Sequence, residues 1–240
     1  REPGPFHRMM RIDRAVVELA RAYFFGRGPA TSLPSAGIAF LRSRSGASVP
    51  DVQIVTAATP HDARPYLSPF RRPYKDLFVS RVVLLRPESR GAIRLASADP
   101  RAKPLIHSNM LTRDNDWVTL RAGVRILREL ARQAPMRPFL GGEAGPAPQD
   151  NSDRDIDAYI RTSALTFRHT LGTCKVGLVT DPAAVVDTEL RVIGTKSLRV
   201  VDASLMPDLV GGNINAAVMM ISEKAADLIR GRVPLAPARV

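Results

Sequence analysis

Apolar residues three or four positions apart predict two helices in the first half of the chain. The spacing over residues 16–23 predicts a first helix, and Gly26 follows it as a stop signal. The same spacing over residues 117–130 predicts a second helix, for which Asp114 is a candidate N-cap. Residues 79–97 contain two β-rich runs joined by a Pro/Ser/Gly turn, which predicts an antiparallel hairpin.

The second half of the chain alternates loop, helix and strand patterns. A Gly/Pro-rich loop over residues 139–153 leads into a short helix that Ser152 is placed to cap. Strand-like runs follow at residues 184–194 and 197–207. Helical spacing then returns over residues 213–231 and predicts the last helix, which ends at Gly231.

The loop between the last strand run and the last helix is a candidate ligand site. Ligands of open α/β sheets gather beyond the carboxyl ends of strands, and a helix N-terminus there offers N–H groups and partial positive charge. Residues 202–215 take this place in the sequence, which predicts a bound anion or polar cofactor. Asn213, directly before the apolar run, is also a good N-cap for the last helix.

Composition and charge narrow the class of protein. Hydrophobic residues make up 45% of the chain and charged residues 24%, which is typical of a soluble globular domain. No apolar run approaches the ~20 residues that cross a bilayer, so we expect no membrane span. The net charge of +12 would attract nucleic acid or acidic ligands. However, the arginines are scattered and few aromatic residues lie near them, which favours a solvated basic surface over nucleic-acid binding.

Cysteine and histidine usage gives little sign of a metal site. Cys174 is the only cysteine, which excludes an intrachain disulfide and a cysteine zinc cluster. A single thiol is compatible with a reducing compartment, and we expect a cytoplasmic location. His7, His61 and His107 have no motif around them and are expected to be structural.

Four motifs follow one another between Phe167 and Gly231. They are H-x-x-G-T-C-x-x-G from His169, V-V-D-x-x-L-R-V-x-G from Val185, L-R-V-V-D-A-S-x-x-P from Leu198 and G-N-x-N-A from Gly212. In this combination and order, the sequence resembles the glucose-methanol-choline (GMC) family of FAD-dependent oxidoreductases. Residues 1–166 resemble the substrate-binding region of that family more diffusely.

The resemblance implies an α+β fold in which two regions have different roles. Residues 1–166 would form a substrate-binding region with an antiparallel sheet and flanking helices. Residues 167–231 would supply the catalytic loop and a strand-helix segment that completes an FAD-binding α/β domain. Residues 232–240 read as a tail.

The glycine-rich loop that normally holds the FAD pyrophosphate in this family does not occur in the sequence. No G-x-G-x-x-G is present, so the N-terminal Rossmann half of the FAD-binding domain is absent from these residues. We therefore expect the chain to be the C-terminal half of the enzyme and to need the missing half or a partner chain. By itself it is expected to be inactive and not to retain FAD.

Similarity to the family places two residues at the reacting alcohol. His169 takes the position of the base that removes the hydroxyl proton, and Asn213 takes that of the group that hydrogen-bonds the substrate oxygen. An imidazole suits this role because it exchanges a proton near neutral pH, whereas an amide does not. His169 would therefore be the titrating base of the pair.

The resemblance also assigns residues to FAD and to packing. Asp202, Ala203, Asn213 and Ile214 match positions that contact FAD, although Asp202 could equally end a strand and start a turn. The N-terminus of the last helix would face the flavin and stabilise negative charge on it. Cys174 fits a small packing residue better than a nucleophile.

Arg168 departs from the family pattern, which usually has an aromatic residue before the base. It could face solvent or pair with a carboxylate, or it could supply a cation to an acidic substrate. Arg168 is therefore a candidate substrate-binding residue.

Three functions remain open on the sequence alone. The first is an alcohol oxidase or dehydrogenase that passes a hydride from a small-molecule alcohol to FAD, with His169 as the base. The second is a non-redox relative such as a hydroxynitrile lyase, which also uses a histidine near flavin. The third is a non-catalytic remnant or basic binding protein.

Overall fold

The chain folds into two compact units, each of which takes residues from two separate parts of the sequence. The first unit comprises residues 1–83 and 120–163, and the second comprises residues 84–119 and 164–240. The computed structural model describes residues 4–32, 35–60, 63–142 and 150–233. Part of the predicted loop at 139–153, most of the predicted tail and His61 lie outside the described residues.

A three-stranded sheet and the helices around it make up the first unit. Its elements are α1 (Pro5–Met9), α2 (Ile12–Phe25), β1 (Ser35–Leu41), β2 (Val52–Ala57), β3 (Val79–Leu84), most of α3 (Asp114–Arg132) and α4 (Asp153–Ser163), with 3₁₀ turns at Pro29–Thr31 and Ala134–Phe139. The strand order is β1-β2-β3, and β1 is antiparallel to β2. Val52, Ile54, Ile156 and Ile160 form its buried core.

Gly123 lets α3 lie directly against the sheet. A Cβ atom at this position would overlap Cγ1 of Val82 on β3 and would contact Val52 on β2 at 3.4 Å. Any side chain here would therefore push the helix away from the strands. The helix predicted from the spacing over residues 117–130 is confirmed, but Asp114 is its first residue and not its N-cap.

The helix predicted over residues 16–23 and the short helix predicted after the Gly/Pro-rich loop are also confirmed. α2 ends at Gly26, which has a φ of 61°, the left-handed conformation that glycine adopts without strain. Its apolar stripe is exposed, however, and Tyr23 is 83% accessible. Ser152 caps α4, because its Oγ accepts a hydrogen bond of 3.2 Å from the N–H of Asp155.

A two-pronged ion pair joins α3 to α4. Nε and Nη2 of Arg121 each donate a hydrogen bond of 2.6 Å to the carboxylate of Asp157. Both side chains are about four-fifths buried. The hydrogen bond from Arg121 lowers the pKa of Asp157 below its ordinary value.

Replacing Asp157 by asparagine should destabilise the protein at neutral pH by about 1 kcal/mol. Because the folded-state pKa is lowered, the carboxylate stabilises the fold above the ordinary carboxyl pKa, and this contribution disappears as the pH falls through the lowered value. The difference in thermal midpoint between wild type and Asp157→Asn should therefore vanish in acid. Asp13→Asn, which breaks the exposed pair between Arg11 and Asp13, is the control and should change little. If the difference in thermal midpoint persisted in acid, the ionised Asp157 carboxylate would not be its cause.

The second unit contains a short two-stranded sheet and the C-terminal helix. Its elements are β4 (Ala92–Arg94), β5 (Leu105–His107), the first turn of α3, a 3₁₀ turn (Ala203–Leu205) and α5 (Asn215–Ile229). β4 and β5 are antiparallel, with Ile93 opposite Ile106. Its buried apolar residues are Leu85, Val186, Leu205, Met206 and Ala225.

The hairpin predicted over residues 79–97 is wrong. β3 joins β2, and a hydrogen bond of 2.9 Å links Thr56 Oγ1 to Ser80 Oγ, whereas β4 pairs with β5 in a separate sheet. The turn between β3 and β4 is held by the carboxylate of Asp116, which accepts hydrogen bonds from the N–H groups of Glu88 and Ser89. These N–H groups therefore bind a helix side chain and do not close a hairpin.

The strand runs predicted at 184–194 and 197–207 form only isolated bridges among the described residues. Leu190 and Ser197 have φ values of 65° and 58°, and such left-handed residues interrupt an extended backbone. The segment folds back on itself, since Val192 N–H donates to Leu198 O and Val200 N–H donates to Leu190 O. The α+β class with antiparallel sheets is confirmed.

None of the helices in the described part of the chain is both long enough and apolar enough to span a membrane.

Candidate active site

His169 lies on a loop that follows α4 and is half-buried. The ring of Phe167 meets its imidazole edge to face, with 5.0 Å between the ring centroids. Neither ring nitrogen of His169 hydrogen-bonds any residue that the structure describes. The imidazole is therefore oriented by an apolar neighbour, and its nitrogens remain available to a ligand.

The loop after His169 is bound to the turn that begins at Asp202. Cys174 N–H donates to Ser204 O at 3.0 Å, and Val176 N–H donates to Leu205 O at 2.9 Å. Gly172 approaches the same segment with a φ of 88°, where a side chain would be strained. These backbone hydrogen bonds join the histidine motif to the L-R-V-V-D-A-S motif.

Asp202 caps the turn that follows it. Its Oδ1 accepts a hydrogen bond of 2.7 Å from the N–H of Ser204, and Ala203 is the first residue of the 3₁₀ turn. Leu205, the last residue of this turn, and Met206 after it are buried. Asp202 is itself exposed, so it has the turn-forming role and still presents its carboxylate to solvent.

Asn213 does not cap the last helix, so the N-cap prediction is wrong. α5 begins at Asn215, and the preceding residue Ile214 is already helical, with φ −81° and ψ −11°. A capping side chain needs an extended backbone at the N-cap, and here no side chain caps the helix. The Asn213 side chain is exposed and makes no hydrogen bond within the described residues. Its amide is therefore available to a ligand.

Arg168 is exposed and has a φ of 60°, a left-handed conformation that is uncommon for a residue with a side chain. Its N–H donates a hydrogen bond of 3.0 Å to Thr166 Oγ1, which supports this backbone conformation. Thr166 therefore helps to fix the backbone conformation of the residue directly before His169.

An ion pair between Lys175 and Asp181 links two positions of the loop that follows Cys174. Lys175 Nζ lies 2.9 Å from Asp181 Oδ2, and this hydrogen bond lowers the pKa of Asp181. Cys174 is partly buried, which agrees with a packing role.

His7 is buried and its Nε2 lies 3.0 Å from Tyr74 O, as expected of a structural histidine. Within the described ranges, no group of three or more acidic, histidine or cysteine side chains is placed to hold a metal ion.

Sequence reasoning missed a set of residues beside Asn213. Arg90 pairs with Asp208, and the guanidinium of Arg86 lies against Gly211. Both arginines belong to residues 86–91, R-P-E-S-R-G, which the sequence pattern predicts as the turn of a hairpin. Only the Gly-Gly pair before Asn213 hinted at a close approach, because glycine accommodates neighbours that a Cβ would exclude.

The structure thus joins the loop after His169 to the Asp202 turn, and Asn213 follows on the segment that leaves this turn. Within the described residues, the side chains of His169 and Asn213 do not hydrogen-bond each other. An acceptor and a donor that hydrogen-bond no described residue therefore lie on connected loops of one unit, together with a helix N-terminus that no side chain caps.

Comparison with known families identifies the class of this protein. Residues 87–222, more than half of the chain, match the C-terminal family model described as GMC oxidoreductase. The chain therefore belongs to the GMC oxidoreductase family, which confirms the resemblance of the four motifs.

Individual relatives agree with this assignment. The chain is 40% identical over 215 residues to the oxygen-dependent choline dehydrogenase of Brucella anthropi, with 89% of this chain and 38% of that protein covered. Pyridoxine 4-oxidase from Mesorbium loti aligns with a TM-score of 0.70 and 28% identity, over 84% of this chain and 39% of that one. A formate oxidase variant of Aspergillus oryzae, solved to study FAD modification, aligns with a TM-score of 0.66 and 26% identity over 92% and 37%. The chain spans less than two fifths of each of these relatives.

Proposed function

We propose that this chain carries the alcohol-oxidising site of an FAD-dependent oxidase or dehydrogenase, with His169 as the base. The observation that carries the proposal is the His169 imidazole, whose nitrogens make no hydrogen bond to described residues although its loop is fixed by backbone hydrogen bonds. A general base must be free to reach the proton that it removes, and a fixed loop limits the entropy lost in reaching it.

Each residue has a distinct role in this reaction. His169 accepts the proton of the alcohol hydroxyl as the carbon-bound hydrogen leaves with its electron pair, and the alcohol becomes a carbonyl compound. Asn213 donates a hydrogen bond from its amide to the same oxygen and stabilises the negative charge that develops there. FAD, when bound, accepts the hydride.

The residues present fit FAD on two observations. The first N–H groups of α5, a helix of 15 residues, are not capped by a side chain and can receive an acceptor such as a flavin oxygen. Asp202 and Ala203 begin a turn that the His169 loop contacts, and the exposed carboxylate of Asp202 can accept hydrogen bonds from cofactor hydroxyl groups. Asp202, Ala203, Asn213 and Ile214 would hold this part of FAD.

The rest of the cofactor site would come from an N-terminal FAD-binding half or a partner chain. This proposal follows from the missing glycine-rich loop and from the relatives, which are more than twice as long as the matched region. The substrate would be a small-molecule alcohol, since choline dehydrogenase and pyridoxine 4-oxidase are among the similar proteins. A cytoplasmic location stays a prediction.

Anaerobic mixing of the holoenzyme with alcohols tests this function. Bleaching of the flavin absorbance by an alcohol, without oxygen, is the expected result. Consumption of a cyanohydrin with no change in the flavin spectrum would instead identify a non-redox relative. Salt-sensitive retention on DNA without bound flavin would indicate a basic binding protein.

Replacing Asn213 by alanine should lower the limiting rate of flavin reduction roughly tenfold, because a hydrogen bond to a developing charge is lost. Since Asn213 does not cap α5, the thermal midpoint of unfolding should stay the same. Stopped-flow measurements give the limiting rate of flavin reduction, and thermal unfolding of the same preparations gives the midpoint. A lower midpoint with an unchanged rate would show that Asn213 acts only in folding.

Replacing Arg168 by glutamate should weaken oxidation of acidic alcohols more than that of neutral alcohols, because a cation-carboxylate contact is stronger than a neutral hydrogen bond. The measurement is kcat/KM for a matched acidic and neutral alcohol. Arg94→Glu, at an exposed arginine on β4, gives the same change of net charge and serves as the control. Equal losses for both alcohols would assign Arg168 to the backbone turn alone.

A further inference from the structure

Two arginines contact the segment that carries Asn213, which we define as residues 207–213. Nη2 of Arg90 donates a hydrogen bond to Oδ1 of Asp208 within this segment. Nη1 of Arg90 donates to Pro87 O at 2.7 Å and to Ser89 O at 3.2 Å. Arg90 therefore ties the segment to the turn from which the arginine itself projects.

The second contact lies two residues before Asn213. Gly211 has a φ of 70°, and a Cβ atom there would lie only 2.6 Å from Nη2 of Arg86. Glycine permits both this left-handed backbone and the close approach of the guanidinium. Arg86 thus packs against the backbone from which Asn213 projects.

The turn that bears both arginines is itself anchored. Asp116, which is 1% exposed in the first turn of α3, accepts hydrogen bonds of 2.7 Å from Glu88 N–H and 3.1 Å from Ser89 N–H. Its carboxylate also accepts a hydrogen bond from Ser89 Oγ. The buried carboxylate of Asp116 therefore anchors the turn between Arg86 and Arg90, and the two arginines contact segment 207–213 from this turn.

Asn213 depends on this support because its own contacts do not fix it. Its side chain makes no hydrogen bond within the described residues, and α5 begins only at Asn215 without a side-chain cap. A misplacement of about 1 Å in a catalytic group can cost roughly 100-fold in rate. Loss of the contacts that support the backbone beside Asn213 should therefore affect the rate of alcohol oxidation more than the free energy of unfolding.

We propose that Arg86 and Arg90 are positioning residues for alcohol oxidation, which act through Gly211 and Asp208 to hold the Asn213 amide against the substrate oxygen. This inference rests on the function proposed above. It predicts that loss of either contact loosens segment 207–213 and slows hydride transfer, while the binding of the alcohol is unchanged.

The experiment uses the holoenzyme and three main variants, Arg90→Ala, Asp208→Asn and Gly211→Ala. Each should lower the limiting rate of anaerobic flavin reduction roughly tenfold and leave the dissociation constant of the alcohol within about twofold. Amide hydrogen exchange should accelerate in segment 207–213 and stay the same elsewhere. Asp227→Asn, which removes an ion pair with the exposed Arg232 at the other end of α5, is the control and should change neither quantity.

A second background tests whether the effect passes through Asn213. In Asn213→Ala enzyme, Asp208→Asn should cost no further rate, because the group being positioned is already absent. An equal additional loss in that background would overturn the proposal. The proposal would also be overturned if Asp208→Asn and Gly211→Ala gave the same limiting rate of flavin reduction and the same amide hydrogen exchange as the control Asp227→Asn.

Failure of the positioning role and failure of the proposed function give different results. If Asn213→Ala alone reduces flavin at the wild-type rate, the role of Asn213 in the proposed function is wrong, and the positioning role falls with it. If Asn213→Ala is slow but Arg90→Ala and Asp208→Asn leave exchange in segment 207–213 unchanged, only the positioning role is wrong.

Discussion

Replacing His169 by alanine is expected to slow anaerobic flavin reduction by roughly 100-fold or more, the usual contribution of a positioned general base. The expected loss is large because His169 is the proposed acceptor of the hydroxyl proton, and its ring nitrogens have no other partner among the described residues. Stopped-flow reduction by the alcohol measures this rate, and the visible spectrum reports whether flavin is retained. Flavin should stay bound, because its proposed contacts on this chain lie at Asp202 and the start of α5.

His169→Gln is the matched variant for this prediction. Glutamine can hydrogen-bond the alcohol but cannot take its proton near neutral pH, so it should be nearly as slow as alanine. A glutamine variant close to the wild-type rate would show that His169 only orients the substrate. Loss of flavin in both variants would instead place His169 in cofactor binding.

Replacing Asp116 by alanine is expected to destabilise the protein by about 3 kcal/mol or more, since it leaves several hydrogen-bond donors without their buried acceptor. Those donors are the N–H groups of Glu88 and Ser89 and the hydroxyl of Ser89, which itself accepts from Thr112 N–H at 2.8 Å. The free energy of unfolding in urea measures the effect.

Asp114→Ala is the control for this substitution. Asp114 lies in the same first turn of α3 but is exposed, so its removal should cost only the interaction with the helix dipole, about 0.3–1 kcal/mol. Equal losses for the two variants would mean that Asp116 contributes only as an acidic residue at a helix start. The turn between β3 and β4 would then be held by something else.

Helices were predictable from the sequence because their signals are local. The spacing of apolar residues and the caps at Ser152 and Gly26 lie within one or two turns of the helix that they define. The same spacing did not show what covers a helix, since the apolar stripe of α2 is exposed. Amphipathic spacing predicts the conformation of a segment and not its partner.

Strand pairing was less predictable because it depends on distant residues. The hairpin prediction failed because Asp116, 27 and 28 positions beyond the turn, binds the N–H groups of that turn. The strand runs near the C-terminus failed because Leu190 and Ser197 adopt left-handed backbone conformations that neither residue type favours. Both outcomes reflect tertiary contacts that override local propensity.

Motifs in the sequence supplied the proposed site residues, whereas no motif indicated the residues that contact segment 207–213. His169, Asp202 and Asn213 stand in motifs whose order carries the family resemblance. Arg86 and Arg90 look like ordinary surface arginines in the sequence, and only the structure shows their contacts with Gly211 and Asp208. Charge alone could not distinguish them, because the chain has 35 lysine and arginine residues.

The pH dependence of anaerobic flavin reduction tests the central claim most directly, with wild type and His169→Gln compared in the same buffers. Only a neutral imidazole can accept the hydroxyl proton, and a glutamine side chain cannot take its place as a base. The wild-type limiting rate should therefore rise with pH and then level off, whereas the rate of His169→Gln should be low and independent of pH. If both proteins show the same rise, another group is the base and His169 is not catalytic.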